Sequence, residues 1–373
     1  MKVAYMLGAL DQGGTETLLL DTLRQIKTKA FPCILVHRKP GTLFTAFEQT
    51  GVPVKHQPIR HLFDVGYLVR LRRLYQIEDI QLVHAHLPLD AFLAYWACLG
   101  TGIKIVLTIH GYDFGYSLFA LSLVRFIITR TDLNLYVSKH LKNYYVQAYS
   151  LVTRQEKQQI AYNGIDFSKL DKPDNMVIRQ ELGIPLKGLL LGSVGNFVRG
   201  RDQLTICRLL AELQKRQLDV HLIFVGARSK SAPSYYDQCV SFCRTHNLQE
   251  RVHFLGSRTD VPAILPQLDA FVYASDHDTF GIAVVEAMAV GLPVFVNDWA
   301  VMQEITENGK RAILYKTKDI ESLVVEFLHF VQEQTVYKEQ AAHNAVWARS
   351  TFSIQQHVQV LQEQYRKLLK LYV

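Results

Sequence analysis

Two carboxylates eight residues apart, Asp278 and Glu286, bracket Phe280-Gly281-Ile282, where an apolar run gives way to a helix pattern. The order is an apolar run (Ala270 to Ala274), a polar loop, a helix pattern closed by Gly291-Leu292-Pro293, and a second apolar run (Val294 to Val296). Glycine just past a helix end, with proline beyond it, is a stop signal. A helix that opens at Phe280-Gly281 presents unbonded N–H groups and a partial positive charge, which suit a phosphate. Gly281 lets a ligand approach the backbone closely. Asp278 stands ahead of the opening, and Glu286 lies about 8 Å further along the axis by the helical rise per residue. Carboxylates repel phosphate but accept hydrogen bonds from hydroxyls. The pair therefore suits a ligand with hydroxyls on either side of a phosphate, as ribose, diphosphate and sugar are arranged in a nucleotide-sugar. On spacing alone, a buried crossover helix carrying a paired Glu reads equally well.

The elements that would position these residues recur in two halves. Apolar runs of strand length fall at Val3–Leu7, Cys33–His37, Leu82–His86, Ile105–Ile109 and Asn134–Val137. A second set falls at Leu189–Val194, His221–Val225, Val252–Leu255, Ala270–Ala274 and Val294–Val296. Continuous apolar strands alternating with helix-length segments predict parallel sheets covered on both faces, an α/β class. Each half opens with a strand, a Gly-containing loop and a helix: Leu7 to Glu16 first, Val194 to Asp202 second. Neither loop is the Gly-x-Gly-x-x-Gly dinucleotide fingerprint, which counts against a nicotinamide enzyme. The boundary is placed at Asn163-Gly164-Ile165-Asp166, and Ser353 to Tyr372 has helical periodicity through Val358, Leu361, Tyr365 and Leu368.

The 373 residues suffice for two domains, and 49% hydrophobic with 20% charged content is that of a globular protein. No leader is read, since the chain opens on the apolar Val3–Leu7 run. Ala91 to Leu107 is interrupted by Gly100, Thr101, Gly102 and Lys104 and reads as a buried helix followed by a strand. Five scattered cysteines lack paired metal spacing; Cys239 and Cys243 read as two buried thiols on one helix face. A reducing cytoplasm is expected. The net charge of +7 resides entirely in residues 1–165, with 18 Lys and Arg against 11 Asp and Glu; the remainder has 23 of each. Arg70, Arg72 and Arg73 interleave with Leu68, Val69, Leu71 and Leu74, either as an ordinary solvated helix face or as a surface for an anionic membrane. Nothing in the pattern calls for a nucleic acid.

Phe280-Gly281 and Glu286-Ala287-Met288-Ala289-Val290-Gly291-Leu292-Pro293-Val294 resemble the acidic signature of retaining glycosyltransferases of the GT-B type, family four. The first Glu of that signature is here Asp278, about one methylene shorter in reach. The resemblance implies a GT-B fold: two Rossmann-like doubly wound parallel-sheet domains facing a cleft. Residues 1–165 would be an acceptor-binding domain and 166–350 a nucleotide-sugar-binding domain, with the helix in 351–373 crossing back to the first. It implies retaining, metal-independent glycosyl transfer with no cofactor beyond the nucleoside-diphosphate sugar donor. The acceptor would be a glycan or a lipid-linked saccharide, in capsule, lipopolysaccharide or exopolysaccharide synthesis on the inner membrane face.

Gly13-Gly14-Thr15-Glu16 is similar to the family's Gly-Gly-x-Glu loop at the donor phosphates. His110, after a buried strand, corresponds to a His that hydrogen-bonds the donor sugar; His84 and His86 end another strand. Arg201 takes the place of a family Lys, and its fork suits a diphosphate. Asn196 stands where the family has an Arg, and Arg199 is either its substitute or a solvated loop charge. Phe254 to Pro262, with Arg258, resembles the nucleobase loop. Asp276-His277-Asp278 is also an Asp-x-Asp, a metal-binding triplet in the other glycosyltransferase fold, but here it runs straight into the Phe-Gly helix and no metal is expected. Two other readings stay open: a non-catalytic partner of a polysaccharide synthase, and a GT-B sugar-nucleotide epimerase.

Overall fold

The computed structural model describes residues 1–29, 31–61, 64–171, 177–198, 200–229 and 233–371. Two compact units emerge: Met1–Ile165 together with Phe352–Val373, and Asp166–Thr351.

The first unit carries seven strands: β1 (Val3–Ala9), β2 (Cys33–Lys39), β3 (Val54–His56), β4 (Leu82–Ala85), β5 (Lys104–Ile109), β6 (Leu133–Tyr136) and β7 (Gln158–Ile160). Their order is β3-β2-β1-β4-β5-β6-β7, and every pairing is parallel. The second unit carries β8 (Leu189–Val194), β9 (Val220–Val225), β10 (Val252–Phe254), β11 (Ala270–Tyr273), β12 (Val294–Asn297) and β13 (Ile313–Tyr315). Their order, β10-β9-β8-β11-β12-β13, is again parallel throughout. Both are doubly wound sheets. The order reverses beside β1 in one unit and beside β8 in the other, where such sheets bind ligands outside their strands' carboxyl ends.

All ten apolar runs form strands. The three short strands without a run, Val54–His56, Gln158–Ile160 and Ile313–Tyr315, are all at sheet edges. The Ala91 to Leu107 stretch resolves into the helix Pro88–Cys98 and then β5. Among the described residues no helix is long and apolar enough to cross a membrane.

Each unit has its own core. In the second, Ile206, Cys207, Leu210 and Leu213 of the helix Gln203–Lys215 meet Leu222 and Phe224 of β9 and Val272 of β11. Cys239 and Cys243, on the helix Pro233–Thr245, are buried in the same cluster, and all five cysteines are free. In the first unit the closing helix Ile354–Leu368 supplies Val358, Leu361 and Tyr365 to a core built on Tyr5, Leu35 and Val106. Burial of each aliphatic side chain there contributes about 1.5–3 kcal/mol. Its buried residues, Ile354, His357, Val358, Leu361 and Tyr365, follow one stripe at helical spacing.

Candidate active site

In the second unit the candidate residues collect at the switch point because β8 and β11 are neighbours. The loop after β8 runs back along the loop after β11. Arg201 pairs with Ser275 in an antiparallel bridge, the Asp202 amide donates to the Ala274 carbonyl (3.0 Å), and the Asp276 amide donates to the Gly200 carbonyl (2.9 Å). Gly200 has φ +85°, and a Cβ built there would lie 2.4 Å from Cβ of His277, so this crossing requires glycine.

The crossing sets the Arg201 guanidinium against Asp278. Nη2 stands 3.3 Å from Oδ1. The guanidinium also lies over the Tyr273 ring, 4.6 Å from its centroid, while the Tyr273 hydroxyl donates to Oδ2 of Asp278. Burial pushes the Asp278 carboxyl up, against the pull of Arg201. Both Asp278 oxygens therefore have partners in their own unit, and the shorter side chain acts as an anchor for Arg201. A carboxylate has further acceptor sites, so this does not exhaust what it can bind. Nη1 of Arg201 is buried with no hydrogen-bond partner among the described residues. A buried guanidinium N–H without an acceptor is costly, which marks a place for an anion.

Three residues on, Gly281 takes the left-handed conformation (φ 89°, ψ 57°) and caps the helix Ile282–Ala289. The first amides bonded into this helix are those of Val284 and Val285, which donate to the Gly281 carbonyl. Those of Ile282 and Ala283 precede the ladder and open the helix, as expected for an anion-receiving end. Phe280 is 2% exposed and Glu286 is half-buried one turn further on. The Trp299 indole donates to the Asp278 carbonyl (3.1 Å), and Asn297 brackets Ser275 through both its backbone groups (2.9 and 2.8 Å). Tyr273 was hidden within the run Ala270 to Ala274, and Asn297 stands just past the run Val294 to Val296; a polar tip at a strand's carboxyl end was their only signal.

The remaining sequence candidates fall as follows. Asn196 accepts from the Ala227 amide (2.8 Å) and ties the loop after β8 to the end of β9. Arg199 lies outside the described residues. Arg258 engages Glu181 (2.6 Å) and Asp260 (2.5 Å), which fastens its loop to the helix Ile178–Glu181. Asp276 pairs with Lys318 (2.8 Å) and His277 (2.6 Å); burial pushes its carboxyl up, but those two partners outweigh it and hold it low. Among the described residues no group of three or more His, Cys, Asp or Glu is arranged to hold a metal ion.

In the first unit, Gly13 precedes the helix Gly14–Lys29, whose Thr17 amide donates to the Gly13 carbonyl (2.9 Å). A Cβ on Gly13 would lie 2.4 Å from Oε2 of Glu16, while a Cβ on Gly14 would point into open space. Burial raises the Glu16 carboxyl. At the neighbouring strand ends, His86 Nδ1 lies 3.0 Å from His110 Nε2, and the two rings lie edge to edge in nearly one plane, centroids 5.2 Å apart. His84 stacks on His86 at 4.5 Å, and its own nitrogens meet the Tyr365 hydroxyl (2.5 Å) and Thr108 Oγ1 (2.6 Å). His357, on the closing helix, bonds the Tyr162 carbonyl (2.7 Å).

Burial pushes all four histidines down: His110 to about 3, with His357 adding to the effect, His357 to about 4, and His84 and His86 well below their usual value. In the unfolded chain they titrate near about 6.5. The unfolded state thus binds protons that the folded state refuses. Stability is full above pH about 6.5 and falls as pH drops from there toward about 4. Tm should decline between pH 7 and pH 5, with part of that slope removed in His357→Gln. A Tm constant over this range would contradict the assignment.

Two doubly wound units, one carrying Arg201 and a glycine-capped helix at its switch point, have the architecture of a glycosyltransferase of the GT-B type. The model of the group 1 glycosyl transferases matches residues 174–345, and that of glycosyltransferase family 4 matches residues 12–169. The chain belongs to this family. It is 24% identical over 367 residues to the O-antigen biosynthesis glycosyltransferase WclY of Escherichia coli, covering 95% of both chains. It is also 24% identical over 316 residues to N-acetyl-alpha-D-glucosaminyl L-malate synthase of Bacillus anthracis, covering 83% of this chain and 78% of that one. The fold superimposes on Anabaena Alr3699/HepE, solved in complex with UDP and glucose, with a TM-score of 0.84 at 20% identity over 98% of this chain and 100% of that one.

Proposed function

We propose that the chain moves a sugar from a nucleoside-diphosphate sugar to a glycan or lipid-linked acceptor, with retention at the anomeric carbon and without a metal ion. The observation that carries this reading is the unpartnered, buried Nη1 of Arg201 beside the opening of the helix Ile282–Ala289. The bond from the anomeric carbon to the diphosphate breaks, and its electron pair stays on the diphosphate oxygen. The acceptor oxygen bonds to the same face of that carbon, and its proton passes to the departing oxygen. Arg201 and the amides at Gly281 and Ile282 stabilise the growing negative charge, the electrostatic contribution that usually dominates. Glu286 holds the ribose hydroxyls; His110 orients the sugar, with Asp278 holding Arg201 in place. Gly13 and Gly14 offer backbone N–H groups to the phosphates.

The purified chain should slowly hydrolyse one sugar donor among UDP-, GDP- and ADP-hexoses in the presence of EDTA, releasing the sugar with its anomeric configuration retained by NMR. No release from any donor, or an inverted product, would overturn the reading.

Surface-polysaccharide synthesis is the setting favoured by the relative matched end to end, an O-antigen enzyme. An anionic lipid surface on the inner membrane face fits the outer side of the first unit. On the helix Val65–Ile77, Tyr67, Leu71 and Tyr75 are buried, while Val65, Val69 and Ile77 are 68%, 60% and 69% exposed among Arg70, Arg72 and Arg73. Arg72 donates to the Leu99 carbonyl (3.0 Å) of the adjoining layer, where Trp96 and Leu99 are also exposed. Apolar stems among arginines suit an anionic interface. Phosphatidylglycerol vesicles should bind the protein at low salt and phosphatidylcholine vesicles should not. Val69→Glu with Ile77→Glu should weaken that binding at least tenfold. Equal recovery with both lipids, or no loss in the double variant, would place the acceptor in solution.

A further inference from the structure

His86 is 5% exposed, and its Nε2 has no hydrogen-bond partner among the described residues. Its Nδ1 is 3.0 Å from Nε2 of His110. Its ring stacks on His84 at 4.5 Å and 25°, and His110 lies edge to edge with it in nearly the same plane, centroids 5.2 Å apart at 17°, so its plane has little freedom. His84 cannot relieve it, because Tyr365 and Thr108 occupy both His84 nitrogens.

A neutral imidazole has one donor and one acceptor nitrogen. Two arrangements of the His86–His110 bond follow. If His110 Nε2 donates, His86 must carry its proton on the partnerless Nε2, leaving a buried N–H donor orphaned. If His86 Nδ1 donates, only a lone pair is left unmet at Nε2. Orphaned buried N–H groups are the rarer fault. The geometry points to the second arrangement. We propose that His86 is a positioning residue that fixes the tautomer of His110, donating from Nδ1 so that His110 carries its proton on Nδ1.

The consequence is chemical. Whatever meets His110 at Nδ1 must accept a hydrogen bond, as a sugar hydroxyl oxygen or a phosphate oxygen does. A His110 of the other tautomer would present an acceptor there and favour a different ligand group. The strong downward displacement of both histidines keeps the pair neutral at pH 7 and makes the tautomer, not the charge, the variable. The idea deepens the reading of His110 as a sugar-orienting residue.

The test is a two-bond proton–nitrogen correlation spectrum of histidine-labelled full-length protein at pH 7.5, with the His110 signals assigned by their loss in His110→Gln. The wild type should show His110 protonated at Nδ1. His86→Phe keeps a stacking ring but no donor, and His110 should then shift toward Nε2 protonation, with kcat about tenfold lower and KM little changed. His86→Asn restores a donor near the old Nδ1 and should return both the tautomer and kcat. A wild-type His110 protonated at Nε2, or an unchanged tautomer in His86→Phe, would overturn the proposal. The spectrum needs no substrate. A correct tautomer in a protein inert toward every sugar donor would overturn the role at the sugar and leave the His86 assignment standing.

Discussion

Arg201→Ala should lower kcat by about 10²–10³-fold, the usual consequence of removing one charge-stabilising group from a transition state. It should also cost stability, because among the described residues Asp278 would keep the Tyr273 hydroxyl and the nearby His277 but lose its arginine. Removing one partner of a fully buried pair costs about 3–5 kcal/mol. Here the side chains are 20% and 17% exposed, so solvent takes up part of that and about 1–3 kcal/mol is expected. The two effects separate in the double variant Arg201→Ala/Asp278→Asn, which should regain most of the Tm and none of the activity. Arg201→Lys keeps the charge but loses the fork and the flat stack on Tyr273, and should fall between the two. Near-wild-type kcat in Arg201→Ala would remove the central group from the proposed mechanism.

Glu286→Ala should weaken nucleotide-sugar binding by about 10²-fold, the worth of two hydrogen bonds to a charged acceptor. The side chain is half-buried on a helix whose packed face is Val284, Val285, Ala287, Met288 and Ala289, so the fold should survive its loss. Glu286→Gln retains one acceptor and should be milder. Calorimetry with the nucleoside diphosphate alone separates the ribose end from the sugar end. Weakened binding of the diphosphate itself places Glu286 at the ribose; an effect confined to the intact sugar donor would move it to the sugar.

Much of this was legible in advance. Nine of the ten strands read from apolar runs are central, where cover on both faces demands a continuous apolar run; the tenth, β10, is an edge strand whose run Val252 to Leu255 is apolar all the same. Of the four edge strands among the described residues, β3, β7 and β13 could not be read: Val-Lys-His and Gln-Gln-Ile carry their pairing in the backbone alone, and Ile-Leu-Tyr is only three residues long. The helix opening at Gly281 was legible because only glycine readily takes φ 89° ahead of a helix. The Asp278 partners were not legible, since nothing along the chain links Asp278 to Arg201, 77 positions earlier. The Arg258 partners Glu181 and Asp260 were not legible either, the first being as distant in the chain as Arg201 is from Asp278.

By itself the sequence determined the α/β class, the two-part division, the helix that opens at Gly281 and the family, because these depend on local periodicity, turn chemistry and a contiguous motif. Tertiary structure alone decided which side chains meet. Parallel order brings the ends of β8 and β11 together, so Arg201 finds Asp278 and Tyr273. Parallel pairing of β4 with β5 likewise joins His86 to His110, and the closing helix returns Tyr365 to His84 across 281 positions. Contacts between strands adjacent in space but distant in the chain leave no trace in local pattern. They are set when burial of the sheet faces selects one strand order.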